Sequence, residues 1–388
     1  MARALRTASW VVAACALLLA CEKIAHLSSF SVEVAPDASE ASGPYSGVCN
    51  ACPPDAGDLL RPPCPLPGEA PDDGLYRTYV WHTIHLGATP DQWAADAGAP
   101  YTVGRDQDCS LRPNGGLPVE CTPTALDAAQ LPEPWVAIPR GVDNSFSQRI
   151  LWPIAELAQN IGAPVDLESD INQSFDEGHG SVLVTVFDWN GTPNDSQVSV
   201  SLCSTVGVTA GNGPPRWDGT DQWIAYGSGA DPEYPGANVP LTDEKTTKAY
   251  VSNGVLFADY ADLGGAQLTI LNTGARVTVI LHNFYYTAQI TDSALTAATA
   301  VGRWYLDDYQ RATPDVADYL SGCNALARSV LLEYLPGFGY QAADLAVDPS
   351  SGPGAPCDAI STAYQADAVR AQIGGYQPID SVPGGCPP

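Results

Sequence analysis

The segment from Ser181 to Ile290 is dominated by strand patterning, and this limits the chain to a largely β fold. Ser181-Val182-Leu183-Val184-Thr185-Val186-Phe187-Asp188-Trp189 is dense in β-branched and aromatic residues. Asn190-Gly191 and Pro193-Asn194-Asp195 turn it, and Gln197-Val198-Ser199-Val200-Ser201-Leu202 alternates back. A period of two buries one face of a strand, and Asn-Gly supplies the left-handed backbone of a tight hairpin. Further strands are expected at 223–226, 248–251, 254–260, 267–272 and 276–290, with turns at Asn253-Gly254 and Thr273-Gly274. An earlier strand, Tyr76 to His85, opens the folded body after a Pro- and Gly-rich stretch.

Helical signals flank this block. Residues 147–161 have helical spacing interrupted by Pro153, and 166–178 fit a second short helix. Thr313 reads as an N-cap, with Pro314 at the first helical position and Asp315 in the first turn. Val316, Leu320, Ala327, Val330, Leu331 and Leu335 keep an apolar face, which Gly322 divides. A last helix is expected over 357–373, closed by Gly374 and Gly375. The expectation is a mainly β fold with α additions. It is an antiparallel β-sandwich of jelly-roll or concanavalin-like appearance, with short helices before the strands and a helical C-terminal segment packed on it. The division is a β-sandwich domain over 75–300 and a helical segment over 301–388.

The amino terminus carries an address. Arg3 and Arg6 precede an apolar run from Trp10 to Ala20 that is short for a membrane span but suited to a secretory signal. Its close, Leu18-Leu19-Ala20-Cys21, resembles a bacterial lipobox. That resemblance implies a signal peptide over 1–20, lipidation of Cys21 and a membrane attachment through the lipid. Glu22 follows in place of the aspartate that retains lipoproteins at the inner membrane, so the resemblance favours an outer-membrane lipoprotein, periplasmic-facing or surface-exposed. Residues 21–74 read as a Pro/Ala/Ser-rich tether with a root-mean-square span of roughly 40 Å if flexible.

The net charge of -27 argues against nucleic acid as a partner, because phosphate binding needs a basic surface. Apolar content of 45% supplies a core and excludes wholesale disorder. Of 11 cysteines, Cys15 leaves with the signal and Cys21 carries lipid, so an odd number enters an oxidising compartment and at least one lacks an intrachain partner. The preferred pairs are Cys109 with Cys121, which bracket a Pro/Gly-rich loop, and Cys323 with Cys357. Cys49-Asn50-Ala51-Cys52 has C-x-x-C spacing without a thioredoxin-like context, so a structural bridge is the better reading.

The acidic loop Gly104-Arg105-Asp106-Gln107-Asp108-Cys109, followed by Gly141-Val142-Asp143-Asn144, is the best candidate site. Asp106, Asp108, Asp143 and Asn144 have the oxygen ligands of a Ca²⁺ shell, although the loop lacks the full EF-hand pattern. The same residue types are ordinary turn and cap formers, and Asp143 or Asn144 suits the N-cap of the next helix. His82 and His85 stand three apart in a strand, which points them to opposite faces unless a bulge intervenes. Asp188, Asp218, Asp307 and Asp308 are the acids of a glycosidase reading, but no spacing fixes a pair. Trp189, Trp217, Trp223 and Tyr226 surround turns, either as sugar-stacking groups or as core. No nucleophile elbow, zinc-protease helix, P-loop or dinucleotide fingerprint occurs in the sequence.

The motif order G-x-D-x-D-C, a second cysteine at Cys121, GVDN, Ile171-Asn172, the block from Val186 to Asp195 and PRWDGTD resembles a family of uncharacterised secreted lipoproteins of myxobacteria. The likeness runs over residues 101–370 and includes Asp106, Asp108, Cys109, Cys121, Asp143, Asn144, Asn190, Gly191, Asp195, Trp217, Asp218 and Gly219. It implies an exported lipoprotein and no particular reaction. The expected function is a lipid-anchored envelope protein acting as a non-enzymatic binding or structural module, calcium-stabilised through the acidic loop, with polysaccharide or an envelope protein as partner. The competing reading is an envelope-associated carbohydrate-binding or glycoside-acting enzyme.

Overall fold

The computed structural model describes residues 76–87, 121, 144–155, 166–209, 213–227, 229–230, 244–260, 263, 266–272, 275–322, 324–348 and 354–378. In chain order the elements are β1 (Tyr76–His85), a π-helical turn (Ser147–Leu151), α1 (Leu167–Asp176), β2 (Val182–Phe187), β3 (Asp195–Val208) and β4 (Gln222–Tyr226). There follow β5 (Lys245–Ser252), β6 (Val255–Asp259), β7 (Ala266–Asn272), β8 (Ala275–Ile290), β9 (Ala294–Tyr305), α2 (Leu306–Ser321), α3 (Ala325–Ala342), β10 (Ala359–Arg370) and β11 (Gln372–Gln377).

The strands close into a barrel, which corrects the expected sandwich. Neighbours run β3-β2-β1-β10-β9-β8-β6-β5, and β5 pairs back onto β3 through Asp195↔Val251 to Ser201↔Lys245. All of these pairings are antiparallel. A period-two pattern is the same in a sandwich strand and a barrel strand, so alternation leaves the pairing of the edges open. Two strands overrun the barrel and take an extra partner: β3 pairs β4 through Thr205 to Val208, and β8 pairs β7 through Ala275 to Leu281. β11 then adds to β4 in parallel.

The C-terminal segment is the second correction. The division at 300/301 falls inside β9, and the helix expected over 357–373 is instead β10 followed by the start of β11. β10 is seated between β1 and β9, with both edges paired. Its alanines favour a helix locally, but two ladders of tertiary pairing override that weak preference. Ile360, Tyr364, Ala366 and Ala368 point into the barrel interior. The N-cap reading of Thr313 fails as well: α2 starts at Leu306 and runs through Pro314, and the Thr313 hydroxyl donates to the Tyr309 carbonyl at 3.0 Å. Gly322 does end that helix, in the left-handed conformation with φ 52°.

One contiguous cluster fills the barrel, including Tyr79, Trp81, Val184, Val186, Val200, Val251, Leu256, Phe284, Tyr286 and Trp304. Small residues lie beside the large ones. Tyr286 is flanked by Ala258 on β6 and Ala300 on β9, and Trp81 by Ala368 on β10. A second, smaller core lies outside the wall, where Val80, Leu183 and Cys203 pack under Trp223, Ala225 and Ile373 of the β4–β11 flap. α2 and α3 add Leu306, Tyr309, Ala317 and Leu335 to the main cluster.

The α2–α3 contact depends on a missing side chain. A Cβ on Gly339 would lie 2.4 Å from Cε1 of Tyr309, whose hydroxyl donates to the Leu335 carbonyl at 2.9 Å. Gly339→Ala is expected to cost about 1–3 kcal/mol in denaturant unfolding, since Tyr309 must leave its position. An unchanged midpoint would show that the two helices separate without cost.

Candidate functional site

The sequence-predicted site residues fall in different places. Asp106, Asp108, Asp143, Cys109, Cys323 and Cys21 lie outside the described residues. Asn144 is described, buried and engaged with backbone: its Oδ1 accepts from Ser147 N at 3.2 Å, as an N-cap does, and its Nδ2 donates to the Ala363 carbonyl at 2.9 Å. Among the described residues no group of three or more His, Cys, Asp or Glu side chains is placed to hold a metal.

The structure joins Cys121 to Cys357, with Cα atoms 5.1 Å apart, which corrects both expected pairs at once. Sequence proximity suggested Cys109 and Cys323 as partners, but β10 returns to the middle of the sheet and carries Cys357 to a small core formed by Cys121, Ala343 and Ala346. Cys203 is a free, buried thiol that donates to the Tyr226 carbonyl at 3.0 Å. Burial pushes its pKa up to about 12, so it stays an unreactive thiol.

A bulge between Trp81 and Thr83 does intervene between the histidines, yet they share no ligand. His85 Nδ1 meets Glu168 at 3.1 Å, and His82 Nε2 meets Asp176 at 3.6 Å. Those carboxylates sit at opposite ends of α1, about 12 Å apart along its axis. The aromatics divide similarly. Trp189, Trp223 and Tyr226 are core, and Trp217 is half-buried, stacked on His82 with centroids 4.2 Å apart. Of the candidate acids, Asp307 is exposed and Asp308 buried on successive helix positions, so they face different surroundings. Asp218 is held below the usual carboxylate range by the hydroxyl and amide of Thr220.

The motif residues resolve into backbone joints. Asp221 of PRWDGTD accepts from Arg216 N at 3.0 Å and Trp217 N at 2.7 Å, which holds Trp217 at φ 59°. In the other block, Asp195 accepts from Asn190 N at 2.7 Å, and Asn190 accepts from the amide and hydroxyl of Thr192. Asn194 Oδ1 accepts from Asn253 N at 2.9 Å, fastening this turn to the β5–β6 turn. Asn172 accepts from Ile84 N at 2.7 Å and donates to the Ile84 carbonyl at 3.0 Å.

Two polar clusters escaped the sequence reading. His282 Nε2 lies 2.6 Å from Asp308 Oδ2, the ring stacks on Tyr305 with centroids 3.6 Å apart, and Arg311 pairs with the other oxygen of Asp308. The contact with the Asp308 carboxyl orients the imidazole. Among the described residues no serine, threonine or cysteine is bonded to His282, so the pair also serves simply to tie α2 to β8. The second cluster is buried where three segments meet. Asp344 accepts from Ser361 N at 2.8 Å and from Ser361 Oγ at 2.6 Å, while Ser361 Oγ accepts from Ser145 N at 2.9 Å. The partners that define each cluster are distant in sequence: His282 and Asp308 are 26 positions apart, Asp344 and Ser361 17, and Ser145 and Ser361 216.

Comparison with protein-family models, with curated proteins and with solved structures gave no match to this chain.

Two predictions come from these contacts. Removing the Cys121–Cys357 bridge, which joins positions 236 apart, is expected to cost about 2–5 kcal/mol. A reductant should therefore lower the melting temperature of the native chain by more than that of a Cys121→Ser, Cys357→Ser double variant. Burial raises the Asp344 pKa to about 6, against the opposing pull of Ser361 and Arg149. The folded state then holds this proton more tightly than the unfolded chain, so its stabilising effect is full in acid and is lost as pH rises from about 4 to about 6. Asp344→Asn keeps the shape and the bond from Ser361 N and removes the titration, so its melting temperature should fall less steeply over that interval. Parallel curves would refute the assignment.

Proposed function

We propose that this chain is a lipid-anchored protein of the cell envelope, exported to the outer membrane, whose barrel is a binding or structural module and not an enzyme. The anchor rests on Leu18-Leu19-Ala20-Cys21 behind a short basic and apolar leader. The observation that carries the module reading is the use of the distinctive polar residues. Asn144, Asn172, Asn190, Asn194, Asp195 and Asp221 all bond to main chain, so their chemistry goes into fixing turns and strand edges. The acidic exterior suits an exposed protein and a cationic or neutral partner, a polysaccharide or an envelope protein. In this proposal Ca²⁺ would be held by Asp106, Asp108 and Asp143, because Asn144 is already engaged.

Both parts are open to direct test. Mass spectrometry of the amino-terminal peptide should find a diacylglyceryl group on Cys21, and Cys21→Ser should move the protein out of the membrane fraction. An unmodified thiol on a membrane-bound protein would refute the anchor. The purified chain, incubated with envelope polysaccharides, should generate no new reducing ends. Turnover abolished by one substitution at Asp188, Asp218, Asp307 or Asp308 would establish the glycoside-acting alternative. A melting temperature raised by millimolar calcium and restored by chelator, with the effect lost in Asp106→Ala, would support the cation site; no rise removes it.

A further inference from the structure

The barrel wall has an irregular stretch at the end of β1. Pairing with β2 covers Tyr76 to Val80 only, although pairing with β10 continues on the other edge as far as His85. From Trp81 to Leu86 the β2-side edge is satisfied by side chains. The Trp81 carbonyl accepts from Ser181 Oγ at 2.7 Å, and Ile84 exchanges two hydrogen bonds with Asn172. Leu86 N donates to Glu168 Oε2 at 2.8 Å, and the Leu86 carbonyl accepts from Ser147 Oγ. Helix α1 thus lies where a strand would continue, seated through Ile171 and Phe175 in the core.

We propose that α1 is a pH-sensitive strap, fastened along this edge of β1 through the His85–Glu168 pair and held more tightly in acid than in mild alkali. The charges support this. α1 and its caps carry Asp166, Glu168, Asp170, Asp176 and Glu177 and no lysine or arginine. The basic groups that meet this helix from β1 are His82 and His85. His85 faces Glu168 from α1 and Asp367 from β10, and His82 faces Asp176 from α1 and the Trp217 ring from the loop before β4. His179, just after the helix, faces Glu177. A protonated His85 offsets part of this crowding of negative charge, and a neutral one does not.

The sign follows from His85. Its bond to Glu168 raises the folded pKa above 6.5, so the attachment is complete below that value and is lost as pH rises through the higher folded value. The two Asn172 bonds to Ile84 involve no titratable group, so α1 loosens without leaving.

Hydrogen–deuterium exchange of the full chain at pH 5.5 and pH 8.5, corrected for the intrinsic rate of exchange, tests this. Amides of α1 should open roughly threefold more often at the higher pH, with those of β2 unchanged. His85→Gln keeps a hydrogen-bond donor and removes the titration, so it should abolish the difference. Glu168→Gln should do the same and serves if His85→Gln fails to fold. Equal protection of α1 at both pH values in the native chain, or the same pH effect in both variants, would overturn the proposal.

Discussion

The pairing of β3 with β5 decides the character of this molecule, because it turns an open sheet into a closed one. An open sheet leaves two rows of unpaired amides and carbonyls, and closure removes both without needing a partner chain. The turn between β2 and β3 stabilises that closing ladder at its end. Asn194 and the Pro193 carbonyl accept from the amides of Asn253 and Gly254, so the two turns flanking the ladder are tied to one another. Once β3 and β5 are joined, β1 must fit between β2 and β10, and residues near the two ends of the folded body become neighbours. The Cys121–Cys357 bridge lies at the start of β10 and reinforces this long-range seat.

Closure also dictates what fills the interior. Eight strands enclose a space that side chains can occupy completely, provided that large residues face small ones. Trp81, Phe284, Tyr286 and Tyr364 project inward among Ala258, Ala288, Ala298, Ala300, Ala366 and Ala368. The alanines are therefore not a sign of helix. They make room for aromatic rings opposite, and bulges between Trp81 and Thr83, Ala366 and Ala368, and Thr287 and Gln289 bend the wall in neighbouring strands.

The same reasoning explains what could be read in the sequence. Strands rich in valine and tyrosine, from β1 through β8, were legible because alternation and Asn-Gly turns are local signals. The helix capped by Asp166 was legible for the same reason, since the Asp166 side chain accepts from Ser169 N. β9 and β10 were not, because Ala-Leu-Thr-Ala-Ala-Thr-Ala and Ala-Ile-Ser-Thr-Ala-Tyr carry helix-forming residues at positions chosen by partners far away. Barrel closure, the disulfide and the Asp344–Ser361 and His282–Asp308 contacts share that cause: each joins groups that no window of sequence contains together. Of the candidate cation site, only Asn144 is described, and its role as a cap was already legible in its place before a helix.

The distinctive motifs then acquire a physical meaning that bears on function. Asp221 organises the loop that lays Trp217 over His82 and Trp223, Asp195 and Asn190 shape the turn at the closing seam, and Asn172 completes the edge of β1. Each of these residues is required by the path of the backbone, whatever the barrel binds. A chain bearing the same motifs is thereby directed to the same joints, and so to the same scaffold. Nothing in a joint selects a ligand. Under the proposed binding role, selectivity would have to come from side chains that the scaffold does not need for itself.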